Sequence, residues 1–167
     1  RIAERSDILV EALEARGAVV IGKSNTPEFG AGAHTFNEVF GVTRNPWNLT
    51  KSAGGSSGGS AAALASRQVW LATGSDFGGS LRNPASFCSV VGFRASAGRV
   101  ARGPRTHSFG MMSIEGPMAR TVADAAMMFD CQTGTHPRDP ISLPAPEVPF
   151  SATLETASAP ARIDRDG

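Results

Sequence analysis

Gly54-Gly55-Ser56-Ser57-Gly58-Gly59-Ser60 runs directly into Ala61-Ala62-Ala63-Leu64-Ala65. Poor helix formers give way within one residue to the best ones, so the pattern predicts a flexible loop feeding a helix N-terminus. A second stretch of the same kind, Gly74-Ser75-Asp76-Phe77-Gly78-Gly79-Ser80, follows the apolar run Val69 to Ala72, which reads as a short buried strand. Upstream, residues 2–16 set Ile2, Ile8, Leu9, Ala12 and Leu13 along one face of a helix that Gly17 stops. Ala18 to Ile21 then reads as a buried strand, and Gly22 to Thr26 as a turn, with Pro27 suited to a first helical turn. Helices and short strands in alternation predict an α/β domain.

Downstream signals are thinner. Residues 30–50 show little periodicity beyond the Asn45-Pro46 turn. Val90 to Phe93 is apolar and reads as buried, and Thr121 to Asp124 fits a capping box that opens a helix through Phe129. Five prolines fall between residues 137 and 149, and residues 151–161 are mostly small, which predicts an extended connection. The character of the chain changes after residue 134, toward a Pro/Ala-rich connection over 144–167 that is expected to be truncated. Arg1 opens on a helix already under way, so the chain reads as an internal fragment.

Composition removes several function classes. A formal net charge of +1 over 167 residues is not that of a nucleic-acid binder. No run approaches the roughly 20 apolar residues of a membrane span. Cys88 and Cys131 stand 43 positions apart, which is neither a disulfide framework nor a zinc site. No metal or cofactor fingerprint is present, so none is expected. Glycine is enriched, with 19 of 167 residues, about 11% against a typical ~7%.

Three readings of the first loop fail on their own chemistry. A free linker does not belong between a turn and an alanine helix. A phosphate loop needs a Lys after its last glycine, and none follows Gly59. A nucleophile elbow, G-x-S-x-G, matches formally, but it requires a strand immediately before the serine and a histidine base. The residues before it, Asn48 to Ala53, look like a polar loop, and His107 and His136 lie in loop-like settings.

Taken together, the two loops resemble the amidase signature family. Ser56 and Ser80 stand 24 positions apart, the family's spacing between its catalytic serines. Further blocks match in order: Gly22-Lys23-Ser24-Asn25-Thr26-Pro27-Glu28-Phe29, Gly41-Val42-Thr43-Arg44-Asn45-Pro46-Trp47, Val91-Gly92-Phe93-Arg94 with Gly98-Arg99-Val100, and Gly116 to Asp124. The resemblance covers about residues 1–143, the extent of the expected domain. It implies an α/β fold with a mixed sheet core flanked by helices. It also implies a hydrolase that cleaves carboxylic amides, and sometimes esters, through an acyl-enzyme. Ser80 is similar to the acylated nucleophile and Ser56 to the bridging serine, which follows a cis peptide bond in the family. Gly30 aligns with a position that lines the acyl pocket in some relatives.

A serine hydroxyl is a poor nucleophile until its proton has a destination. In the family Ser56 would relay that proton to a neutral lysine held at lowered pKa by burial. The backbone N–H groups of Phe77, Gly78, Gly79 and Ser80 can form the oxyanion nest, where loss of one donor costs on the order of 10²–10³ in rate. Lys23 and Lys51, the two lysines in the chain, match neither the position nor the setting of that base. The catalytic lysine is expected upstream of residue 1, leaving the chain by itself inactive.

Other polar residues have structural readings. Asp76 is expected to hydrogen-bond the loop backbone, Arg82 to pair with a buried carboxylate or carbonyls, and Cys88 to be an inert buried thiol. Met111-Met112 and Met127-Met128 read as core filler. Arg94-Ala95-Ser96 departs from the family's usual Lys-Pro-Thr or Arg-Pro-Ser, a change expected to alter a loop and not the chemistry. The implied substrate is a small-molecule amide, with no nucleic acid, no evident membrane partner, a homodimer allowed and a cytoplasmic location expected. The alternatives are the amidase subunit of a tRNA-dependent amidotransferase, which draws ammonia from glutamine, and a non-catalytic remnant of the fold. A Ser–His–Asp esterase ranks last.

Overall fold

The structure, a computed structural model, describes residues 4–103, 107 and 109–158. The first helix, α1 (Ile8–Ala15), starts later than periodicity predicts, since residues 4–7 are not helical; Ile2 and Ala3 of that reading lie outside the described residues. Asp7 in an extended conformation accepts the Leu9 N–H at 3.0 Å and caps it there. Gly17 follows at φ +88°, the left-handed stop that the sequence predicts. Ala18 to Ile21 is not a strand. Val19 and Ile21 are 83% and 75% exposed, because no described segment offers this stretch a hydrogen-bonding edge.

Residues 30–50, nearly silent in sequence, form two small antiparallel hairpins. They are β1 (Phe36–Asn37) with β2 (Gly41–Val42), and β3 (Arg44–Asn45) with β4 (Asn48–Ser52). Asn37 Oδ1 accepts from the N–H groups of Val39 and Phe40, and Asn45 Oδ1 from that of Trp47. These side-chain turns leave no trace in hydrophobic periodicity.

The alanine helix, α2 (Gly58–Ala65), begins inside the first glycine-serine loop, and β5 (Leu71–Asp76) absorbs half of the second. Then come α3 (Arg82–Cys88), β6 (Val91–Gly92), β7 (Ile114–Ala119), α4 (Val122–Gln132) and α5 (Phe150–Thr156). β7 is the centre of a three-stranded antiparallel sheet ordered β5-β7-β6, with Leu71 opposite Ala119 and Asp76 opposite Ile114. Its Gly116 and Pro117 argue against a central strand in sequence. Gly116 is required there, because a Cβ would stand 2.2 Å from the Phe93 carbonyl oxygen.

Two hydrophobic clusters flank this sheet. Leu9, Leu13, Val100, Ile114, Met128 and Phe129 form one, and Ala53, Ala61, Leu64, Leu81, Cys88 and Met118 the other. Adjacent residues of β5 serve different clusters, Leu71 the first and Ala72 the second, as strand alternation requires. Thr121 caps α4 through the Asp124 N–H, as predicted. α5 replaces the predicted extended connection: Asp130 accepts from the N–H groups of Phe150 and Ser151, and the Phe150 ring packs 4.7 Å from that of Phe129. Of the methionine pairs only Met128 is core; Met111, Met112 and Met127 are substantially exposed. No described helix is long and apolar enough to cross a membrane.

Candidate active site

The first glycine-serine loop is neither exposed nor free. Every residue from Gly54 to Ser60 is buried, and Ser56 is 5% exposed. The Gly55–Ser56 peptide bond is cis. Glycine is required by neighbouring backbone as much as by dihedral freedom. A Cβ on Gly55 would lie 2.8 Å from the His34 nitrogen, and one on Gly59 would lie 2.3 Å from the Asn25 oxygen.

Hydroxyls sew the loop in place. Thr35 Oγ1 reaches the carbonyls of Gly54 at 2.9 Å and Ser56 at 3.3 Å, and accepts the Gly58 N–H at 3.1 Å. Ser57 Oγ meets both the N–H and the carbonyl of Ser75 on β5, and Ser60 Oγ donates to the Thr73 carbonyl. His34 Nδ1 lies 2.8 Å from Ser52 Oγ, which accepts the Gly54 N–H. Thr35 and His34 carry no local signal in the sequence, each being an isolated polar residue in an aperiodic stretch.

The second loop is organised by charge. Asp76, the last residue of β5, is fully buried, and its carboxylate accepts the N–H groups of Gly79, Leu81 and Arg82. Arg82 adds Nε at 2.9 Å and Nη2 at 3.1 Å, and Arg94 adds Nη1 at 3.1 Å. Burial by itself pushes this carboxyl up. The Arg82 side chain and the three backbone donors outweigh it and hold Asp76 well below the usual carboxylate range. The same pairing raises the Arg82 guanidinium further. Asp76 is therefore an anion at neutral pH that shapes the loop, in line with the structural reading of both residues.

Arg94 Nη1 also donates to the Asp76 backbone carbonyl. A trans peptide is planar, so fixing that carbonyl toward Arg94 aims the Phe77 N–H the opposite way. Arg94 thus touches the loop that carries Ser80, whereas the departure from the family pattern in this stretch is Ala95 in place of proline.

The two loops meet: the Ser57 N–H donates to the Ser80 carbonyl at 3.2 Å. Ser56, next to Ser57, and Ser80 are thereby brought to one seam, Ser56 buried and Ser80 half-buried. Of the four predicted oxyanion donors, the Gly79 N–H is engaged by Asp76. Among the described residues no acceptor is positioned for the N–H groups of Phe77, Gly78 or Ser80. Gly30, at φ +70°, lies on the exposed surface as the last residue of a short 3-10 turn (Glu28–Gly30).

The remaining candidates fall elsewhere. Lys23 and Lys51 are exposed. His107 is exposed, and His136 Nδ1 accepts the Arg138 N–H in a separate turn. Cys88 is fully buried beside the Ala53 carbonyl, and burial pushes its thiol up. An open groove of about 390 Å³ beside α2, lined by Ser24, Asn25, Arg44, Gly59 and Ser66, touches neither catalytic-serine candidate. Among the described residues no three His, Cys, Asp or Glu side chains converge as a metal site would require.

Comparison with known proteins identifies the family. The family model described as Amidase matches residues 1–164. A subunit of the glutamyl-tRNA(Gln) amidotransferase of Desulforapulum autotrophicum is 50% identical over 80% of this chain and 27% of its own length. A bacterial aryl acylamidase of the amidase signature enzymes superposes with a TM-score of 0.84 at 40% identity, over 91% of this chain and 31% of its own. A peptide amidase from Stenotrophomonas maltophilia gives 0.79 at 35% identity, over 87% and 32%. The chain thus spans about a third of the length of the proteins it matches. Matched from residue 1 to residue 164, and alike in sequence and backbone to these enzymes, the chain belongs to the amidase signature family.

Proposed function

We propose that the protein hydrolyses a small-molecule carboxylic amide through an acyl-enzyme on Ser80. Ser80 Oγ attacks the amide carbon while its proton passes to Ser56, and Ser56 passes its own to a neutral lysine. The C–O bond forms, the C–N bond breaks, and the departing nitrogen takes the proton back. Water then cleaves the ester by the reverse relay, releasing the acid. Both lysines of the chain are exposed, and neither suits a base that must be neutral near pH 7. Developing charge on the carbonyl oxygen meets the N–H groups of Phe77, Gly78 and Ser80, with Gly79 acting through the Asp76 bond that shapes the nest.

The observation that carries this reading is the Ser57 N–H to Ser80 carbonyl bond, which joins the two serine loops. The test is an amide panel assayed on the natural full-length protein and on its Ser80→Ala and Ser56→Ala variants. Ser80→Ala is expected to lose activity by at least about 10⁴-fold, together with the acyl adduct on residue 80 seen by mass spectrometry. Retained turnover in Ser80→Ala rejects the reading.

A second reading, the amidase subunit of an amidotransferase, draws on the 50% identity to a subunit of such an enzyme. It keeps the same serines and takes glutamine as the amide. Glutamine hydrolysis that appears only with added partner subunits selects it over the free-standing amidase.

A further inference from the structure

We propose that Thr35 is a positioning residue for catalysis, setting Ser56 against Ser80. The inference rests on the serine reading above. Thr35 is 1% exposed, and its own carbonyl is tied to the Thr43 N–H at 2.9 Å, so it is a fixed post. Its single hydroxyl proton divides between the Gly54 and Ser56 carbonyls, while its lone pair takes the Gly58 N–H. The carbonyl of Ser56 and the N–H of Ser57 belong to one planar peptide unit. Thr35 holds one end of that unit and the Ser80 carbonyl holds the other. The orientation of Ser56 relative to Ser80 is therefore fixed through Thr35, which itself reaches no reacting atom. The Gly58 position fits this role, since a Cβ there would stand 2.3 Å from the Thr35 oxygen.

The test compares Thr35→Ser, Thr35→Ala and Thr35→Val in the natural full-length protein, with kcat normalised to sites titrated by a serine-directed fluorophosphonate. Thr35→Ala and Thr35→Val are expected to lose kcat by about 10²-fold at nearly unchanged KM, the scale of a misplacement near 1 Å. Thr35→Ser, which keeps the hydroxyl, is expected to restore kcat to within a few-fold of the parent. Full kcat per titrated site in Thr35→Ala, or no rescue by serine, overturns the proposal. If the alanine and valine proteins do not fold, hydrogen exchange on the unmodified protein decides. The Ser57 and Gly58 amides should exchange as slowly as those of β5, and fast exchange there overturns the clamp. Ser80→Ala separates the two levels: if it stays active the serine reading has failed, and if it is dead while Thr35→Ala is fully active only this inference has.

Discussion

The two glycine-serine loops hold their serines by opposite physics. The loop around Ser56 contains no charge. It is fixed by backbone-to-backbone contact at Gly55 and Gly59 and by the hydroxyls of Thr35, Ser57 and Ser60. The loop around Ser80 is wound about a buried anion that gathers three N–H groups and two guanidinium groups. Close packing tolerates almost no added atom, whereas an ionic hub tolerates shape change but not loss of its charge. A nucleophile that must be approached by substrate is better served by the second arrangement, since it leaves Phe77 and Gly78 open to solvent.

Substitutions can break this contrast in order of effect. Asp76→Asn leaves two guanidinium groups facing a neutral amide. It should cost about 3 kcal/mol, read as a lowered urea midpoint, with the high side-chain exposure of Arg82 already discounted. An unchanged midpoint would mean that the hub is not electrostatic. Gly59→Ala forces a methyl against the Asn25 backbone and should cost about 2 kcal/mol, with no dependence on salt. If salt alters that penalty, the first loop is not held by packing alone.

Finer tests separate the arginines. Arg94 is 24% exposed and Arg82 is 56% exposed, so Arg94→Ala should destabilise more than Arg82→Ala, and equal effects would contradict the burial argument. The pH dependence follows from the depressed Asp76 carboxyl. Its stabilisation is complete above the unfolded carboxyl value of about 3.9 and is lost as pH falls below that toward the folded value. Chemical denaturation between pH 5 and 2 should therefore steepen in the parent and flatten in Asp76→Asn. Cys88 gives the smallest signal: buried and pushed up, it should resist iodoacetamide in the native state at pH 8, whereas half-buried Cys131 reacts first.

What the sequence revealed was the part written in local chemistry. Gly17 as a stop, Thr121 as a cap, the alanine run of α2 and the bonding of Asp76 to its own loop backbone are all short-range statements. Ser56 and Ser80 were legible through family resemblance, and their joining through the Ser57 N–H is a structural finding. The failures share a cause, which is that long-range partners decide the outcome. Ala18 to Ile21 has strand composition but, among the described residues, no edge to join. β7 carries Gly116 and Pro117, yet pairs on both sides, and the Asp130 carboxylate turns Phe150–Thr156 into a helix. Thr35 shows the same limit, since its role depends on carbonyls 19 and 21 residues away.

The bond from the Ser57 N–H to the Ser80 carbonyl also closes residues 57–80 into a ring of fixed circumference, made of α2, its connection and β5. A ring of this kind is a ruler. One residue inserted after Ala65 would have to be expelled as a bulge or would slip β5 by one place, turning Leu71 and Ala72 to the wrong clusters. The count between the two serines is thus a length that the chain measures on itself.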